Sequence, residues 1–280
     1  MLSVVRRTWI TILMVTGFAA MGSAGAGTLV YPHALFTSEA EPSAVFFVQN
    51  SGQVAMEAEV ALSFGYPASD TLGDVRIKLI ENPAPTDPSA VAWVRALPRR
   101  MLIQPGGLQA VRVLAQPPDD LPPGEYWCRV IVTGRDLKPP RLQAISGEIQ
   151  VGLQLETRTI ISLSYRRGEV ATGARLTGFR ATAVDSAVVA DLDLERLGNA
   201  AYLGRVNLEL YDERGGLAGQ WDRVIAVYYD LHRSLRCPVA GLQPGRYVLR
   251  LALTTDRADI PLEDVLAAEP LEASTELWVQ

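Results

Sequence analysis

The sequence predicts an all-β fold: two β-sandwich domains in tandem, preceded by a signal peptide. Three observations carry this reading. Short alternating apolar runs recur along the chain, and Gly-, Asn- and Pro-bearing turn signals separate them. One phrase, Leu-x-Pro-Gly-x-Tyr leading into an alternating strand, is also written twice, as "LPPGEYWCRVIV" from Leu121 and "LQPGRYVLRLAL" from Leu242. A chain of 280 residues has room for about two domains, one for each copy.

The N-terminus is set apart by composition. "MLSVVRR" is a short basic start, and "TWITILMVTGFAAM" is an apolar run below the ~20 residues that a membrane helix needs. Ala24-Gly25-Ala26 then supplies a small-x-small cleavage pattern. Residues 1–26 are thus expected to be a signal peptide, with the mature chain starting near Gly27. Losing Arg6 and Arg7 moves the formal charge from −5 to −7. An acidic mature chain with no basic run argues against nucleic acid as a partner.

In the first half the strand candidates are "SAVFFVQN", "VAMEAEVALSF", "AVAWVRAL", "LQAVRVLA", "EYWCRVIV" and the long "EIQVGLQLETRTIISLSY". Pro-Gly is turn chemistry, since Pro fixes φ and Gly accepts the positive φ that follows. In immunoglobulin-like sandwiches a Tyr just after such a turn opens a strand and sends its hydroxyl back to the upstream backbone. Tyr126 and Tyr247 hold that position. Cys128 lies two residues after Tyr126, but "SAVFFVQN" has no cysteine to pair with it. Cys128 and Cys237 fall one in each half, so they read as two buried thiols.

The second half offers "AVVADLDLERLG", "GRVNLELYDERGG", "DRVIAVYYDLH", "RYVLRLALTT" and "ASTELWVQ", with "PLEDVLAAEP" as a short helix. In "ADLDLERL" the apolar Ala190, Leu192 and Leu194 share one face, and Asp191, Asp193 and Glu195 line the other as a solvated row. Two adjacent tyrosines, Tyr228 and Tyr229, place one ring outward on any strand. The predicted domains are residues 27–166 and 167–280, with the border at Arg166-Arg167-Gly168.

Catalytic and metal chemistry find no foothold. His33 and His232 are the only histidines, and neither has ligand-type neighbours at metal spacing. No nucleophile elbow, phosphate-binding loop or dinucleotide-binding glycine pattern occurs. "YYDLHRS" reads as a loop after a strand rather than as part of a triad. The sequence predicts a non-enzymatic binding protein without cofactor, metal or small-molecule substrate.

The order "AVFFVQNSG…AEVALSF…LPRRMLIQPGGLQAVRVL…LPPGEYWCRVIV", closing on "LSYR", resembles the N-terminal domain of the PapD-like periplasmic pilus chaperones over residues 28 to 170. The resemblance implies two sandwiches set at an angle, in the periplasm, acting on pilus or surface-fibre subunits, with an outer-membrane assembly protein as a further partner. Such proteins lend their last N-domain strand to an incomplete subunit. Here that strand is residues 147–157. Ile149, Val151, Leu153 and Leu155 point one way, and Gln150, Gln154 and Glu156 the other. The same alternation is what residues facing their own core would show, so both readings stand. The family's two cleft cations correspond to His33 and Ser162 in this chain, leaving Arg158, Arg166 or Arg167 to grip a partner's carboxylate. Arg112 and Glu125 resemble the residues that fix the interdomain angle. The alternative is a structural or adhesive sandwich protein at the cell surface.

Overall fold

The computed structural model describes residues 27–137 and 156–279; the expected signal peptide lies outside them. Strands dominate. In chain order they are β1 (Thr28–Tyr31), β2 (Ala34–Ser38), β3 (Ser43–Asn50), β4 (Met56–Ser69), β5 (Val75–Ile80), β6 (Val94–Leu97), β7 (Arg100–Ile103), β8 (Leu108–Ala115), β9 (Gly124–Asp136) and β10 (Glu156–Arg167). They continue as β11 (Thr172–Val184), β12 (Ala187–Gly198), β13 (Tyr202–Asp212), β14 (Leu217–Val227), β15 (Asp230–Pro238), β16 (Gly245–Thr254) and β17 (Leu271–Val279). The first sandwich pairs a sheet ordered β1-β3-β8-β6 with one ordered β2-β10-β9-β4-β5, where β7 also lies beside β4. The second packs β11-β12-β15 on β14-β13-β16-β17.

Each sandwich has its own core, as alternation requires. Phe46, Val48, Val111, Val113, Cys128, Val130, Ile161 and Leu163 meet in the first. Leu192, Leu194, Leu208, Leu210, Leu249 and Leu251 fill the second.

The repeated phrase folds the same way twice. Gly124 has φ +155° and Gly245 φ +154°, a conformation open to glycine. The Tyr126 hydroxyl donates to the Pro122 carbonyl at 3.0 Å, and that of Tyr247 to the Gln243 carbonyl at 3.1 Å, each four residues upstream. Two other motifs of the first half turn out to be partners. Asn50, buried at the end of β3, receives the Gly106 amide at its carbonyl (2.8 Å), and its own amide reaches the Gly107 carbonyl (3.0 Å). Its side chain donates to the Val54 and Ile103 carbonyls. The Asn-Ser strand end and the "QPGG" turn are one unit.

Three local readings change. "PLEDVLAAEP" forms only a single 3-10 turn, η1 (Leu262–Asp264), because Val265 is already extended and no side chain caps the N-terminus. "YYDLHRS" is not a loop: β14 ends at Val227 and β15 begins at Asp230, carrying His232 into a strand. The run "TGARLTGFRATAV" is β11, masked in sequence because a bulge between Leu176 and Gly178 shifts its alternation. The acidic row on β12 faces basic side chains across its neighbours: Glu195 pairs with Arg175 (3.2 Å), and Asp193 meets both Arg180 (3.5 Å) and the His232 ring (2.7 Å).

Both cysteines are buried free thiols in separate cores. Burial pushes the Cys128 thiol up to about 12, with nearby Arg129 opposing weakly. Cys128 should therefore resist iodoacetamide until denaturant is added; rapid alkylation of the native protein, read by mass spectrometry, would contradict that burial. Tyr126→Phe deletes one corner hydrogen bond and should lower stability to urea by about 1 kcal/mol.

Candidate partner-binding edge

β10 is paired unequally on its two sides. On one side it runs antiparallel to β9 along its whole length, from Glu156 opposite Arg135 to Arg167 opposite Gly124. On the other side β2 lies parallel to it and covers only residues 162–166. Among the described residues, the stretch 156–161 has no strand on that second side. Its backbone donors and acceptors there form an open sheet edge, which is a template for another strand.

The side chains of β10 alternate with the core. Ile161, Leu163 and Tyr165 are buried in the first sandwich, so odd-numbered positions face inward. Towards the start of the strand the interior turns polar. The Thr157 hydroxyl meets that of Thr28 at 2.5 Å, and Thr28 also donates to the Met56 sulfur at 3.0 Å. These groups close the core at that pole. Ile149, Val151, Leu153 and Leu155 lie outside the described residues. They carry the same odd numbering as the core-facing positions of β10.

His33 and Ser162 lie side by side. The Ser162 amide donates to the His33 carbonyl at 3.0 Å, where β2 begins its pairing with β10. His33 is exposed, and neither residue supplies a permanent charge. Of the three arginines considered as substitutes, two are engaged within the chain. Arg166 pairs with Glu125 at 3.0 Å, donates to the Asp264 carbonyl at 2.7 Å and stacks 4.7 Å above the Phe36 ring. Arg167 pairs with Glu39 at 3.2 Å and donates to the Pro118 and Asp119 carbonyls. Arg158 is exposed on β10 opposite Thr133, with no ion pair among the described residues.

The outward face of β9 is covered by the second sandwich. Glu125, Trp127 and Arg129 alternate with the core-facing Tyr126, Cys128 and Val130, yet all three are buried. Trp127 stacks on Phe64 (6.0 Å between centroids) and meets Tyr228 edge-on at 4.9 Å; Tyr66 and Tyr229 touch at 4.7 Å. The adjacent tyrosines thus both serve the domain junction, and burial raises the Tyr228 phenol above its ordinary value. Arg129 donates to the Gly65 carbonyl at 2.9 Å and lies 4.9 Å from the Tyr228 ring centre. Glu125, besides pairing with Arg166, accepts the Ala201 amide at 3.2 Å, and its own amide donates to the Asn199 carbonyl.

Arg112 is placed elsewhere. It is exposed on β8, between Val45 of β3 and Leu97 of β6, and the cation opposite Glu125 is Arg166. The missed signal was in "GEYWCRVIV" itself, where a Glu, a Trp and an Arg line the face opposite the core. A strand whose two faces both carry large or charged side chains needs cover on both.

No family model and no curated protein sequence matches the chain. Solved structures with a similar fold include the YadV chaperone, with 14% identity, TM-score 0.44 and coverage of 89% of this chain and 99% of that one. The Escherichia coli chaperone DraB gives 12%, 0.44, 88% and 95% in the same order. The SafB chaperone of Salmonella enterica, in complex with the SafA pilin, gives 13%, 0.44, 88% and 95%. The likeness is one of fold and assigns no activity.

Glu125→Ala would leave Arg166 without its carboxylate at a largely buried site, and the protein should lose about 3 kcal/mol of stability in chemical denaturation. Glu125→Gln keeps an acceptor for the Ala201 amide and should lose less. Equal losses would mean that the hydrogen bond to the Ala201 amide contributes nothing beyond the ion pair.

Proposed function

We propose that the protein is a periplasmic, non-enzymatic chaperone that binds subunits of a pilus or surface fibre by strand addition. The observation that carries this reading is that, among the described residues, no strand covers the second side of β10 over residues 156–161. A partner strand laid there would gain backbone hydrogen bonds. If β10 were continued backwards with its own alternation, Ile149, Val151, Leu153 and Leu155 would share the face of Ile161 and Leu163. Those four side chains would then enter the partner and set its register, since a one-residue slip would turn all of them away. Arg158, exposed on the same strand, is the cation available to a partner's carboxylate.

A second surface suits the assembly partner. The outer face of β1-β3-β8-β6 exposes Leu29, Tyr31, Val45, Leu97 and Leu108 around Arg112. Apolar faces of this kind mark protein–protein contacts, and an outer-membrane assembly protein would dock there.

The test is Leu153→Glu in the full chain, isolated with co-purifying proteins from its own host's envelope. The reading expects wild-type protein to carry a stoichiometric small partner that aggregates on release. The variant should lose that partner while keeping its denaturation midpoint. Matching losses of stability and binding would make Leu153 a core residue. Wild-type protein recovered alone, or as a polymer of itself, would move the assignment to a structural or adhesive surface role.

A further inference from the structure

The junction around Trp127 is one attachment between the sandwiches, and a lone attachment is a pivot. A second one lies further out, at the tip of the β4–β5 hairpin. The tip is preorganised: the Asp70 carboxylate accepts the Leu72 amide at 2.9 Å and the Asp74 amide at 3.0 Å, and its pKa is lowered by these bonds. This turn presents the Gly73 carbonyl to β15, the edge strand of the β11-β12-β15 sheet. The carbonyl accepts the Ser234 amide at 3.1 Å and the Arg233 guanidinium at 3.1 Å, while Arg233 also faces Asp74 at 3.8 Å. Val75, the first residue of β5, packs against the core of the second sandwich.

We propose that this hairpin tip is a strut that fixes the angle between the two sandwiches, so that they turn as one body. Ser234 follows Tyr229 by five residues, about 16 Å along an extended chain. Rotation about the Trp127–Tyr229 junction therefore has to break the Gly73 contacts. The fit is close enough to exclude any side chain at Gly73. Its φ is +78°, and a Cβ there would come within 2.6 Å of the Ser234 nitrogen and 2.7 Å of the Ser234 Cβ. The inference goes beyond the proposed chaperone role and holds whatever the partner is.

Spin labels on Ala110→Cys (β8) and Ser274→Cys (β17) report the angle by pulsed dipolar spectroscopy. Both positions are exposed, and Cys128 and Cys237 are buried. With the strut intact, the labelled protein should show one narrow distance distribution. Gly73→Ala should broaden or displace it. Leu72→Ser, changing a side chain 76% exposed at the same tip, should leave it unchanged. Should Gly73→Ala not fold, Arg233→Ala, which removes one of the two donors, decides by the same readout. A distribution in the Gly73 variant, or failing that the Arg233 variant, that superimposes on the parent would overturn the strut.

Discussion

Most of this architecture follows from β9 being buried on both faces. Its inward residues complete the first core, and its outward residues, Glu125, Trp127 and Arg129, are covered by the second sandwich. The two kinds of contact on the outward face do different work. Burying a tryptophan removes roughly 200 Å² from water, on the order of 5 kcal/mol at 25 cal/mol per Å². A buried ion pair nearly breaks even against its own desolvation. The Trp127–Phe64–Tyr228 cluster therefore supplies adhesion, whereas Glu125 and Arg166, paired with each other within the first sandwich, reach across the joint by hydrogen bonds to the Ala201 amide and the Asp264 carbonyl. The joint is held by aromatics and oriented by hydrogen bonds.

The open side of β10 has a topological cause. The first strand begins in the β1-β3-β8-β6 sheet and crosses at Pro32 to the opposite one, so among the described residues β2, five residues long, is what covers that side of β10. The uncovered stretch is not left as a bare apolar ribbon. Glu156, paired with Arg135 at 2.6 Å, and Arg158 put opposite charges on its exposed face. Charged side chains on an exposed edge discourage indiscriminate pairing. A strand admitted there must tolerate those charges, which is a form of selection between partners.

The two sandwiches and their corners were legible in the sequence because each rests on local chemistry: alternation, Pro-Gly turns, and a Tyr whose partner is four residues away. Glu125 at the junction was legible only through resemblance. Its true partner, Arg166, is 41 residues distant and meets it because β9 and β10 pair in that register, which no local pattern encodes. β11 escaped notice for a local reason, since the bulge after Leu176 breaks its period. β15 was hidden by the short turn at Tyr228-Tyr229, where aromatic residues occupy a place usually held by Gly or Asn. They are there because the second domain needs them as its contact with Trp127. Local sequence rules failed where a residue serves the neighbouring domain.

The exposed position of Arg158 bears on how a partner would be held. An exposed guanidinium–carboxylate pair contributes about 0–1 kcal/mol, whereas each fully buried aliphatic side chain contributes about 1.5–3 kcal/mol. With Arg166 and Arg167 engaged inside the chain, and with neither His33 nor Ser162 a permanent cation, charge would not dominate the affinity of a strand added at this edge. It would fall to the apolar side chains preceding β10 and to backbone pairing along the open edge. Binding so arranged would depend weakly on salt and strongly on register, because displacing the strand by one residue would turn its apolar side chains to the opposite face.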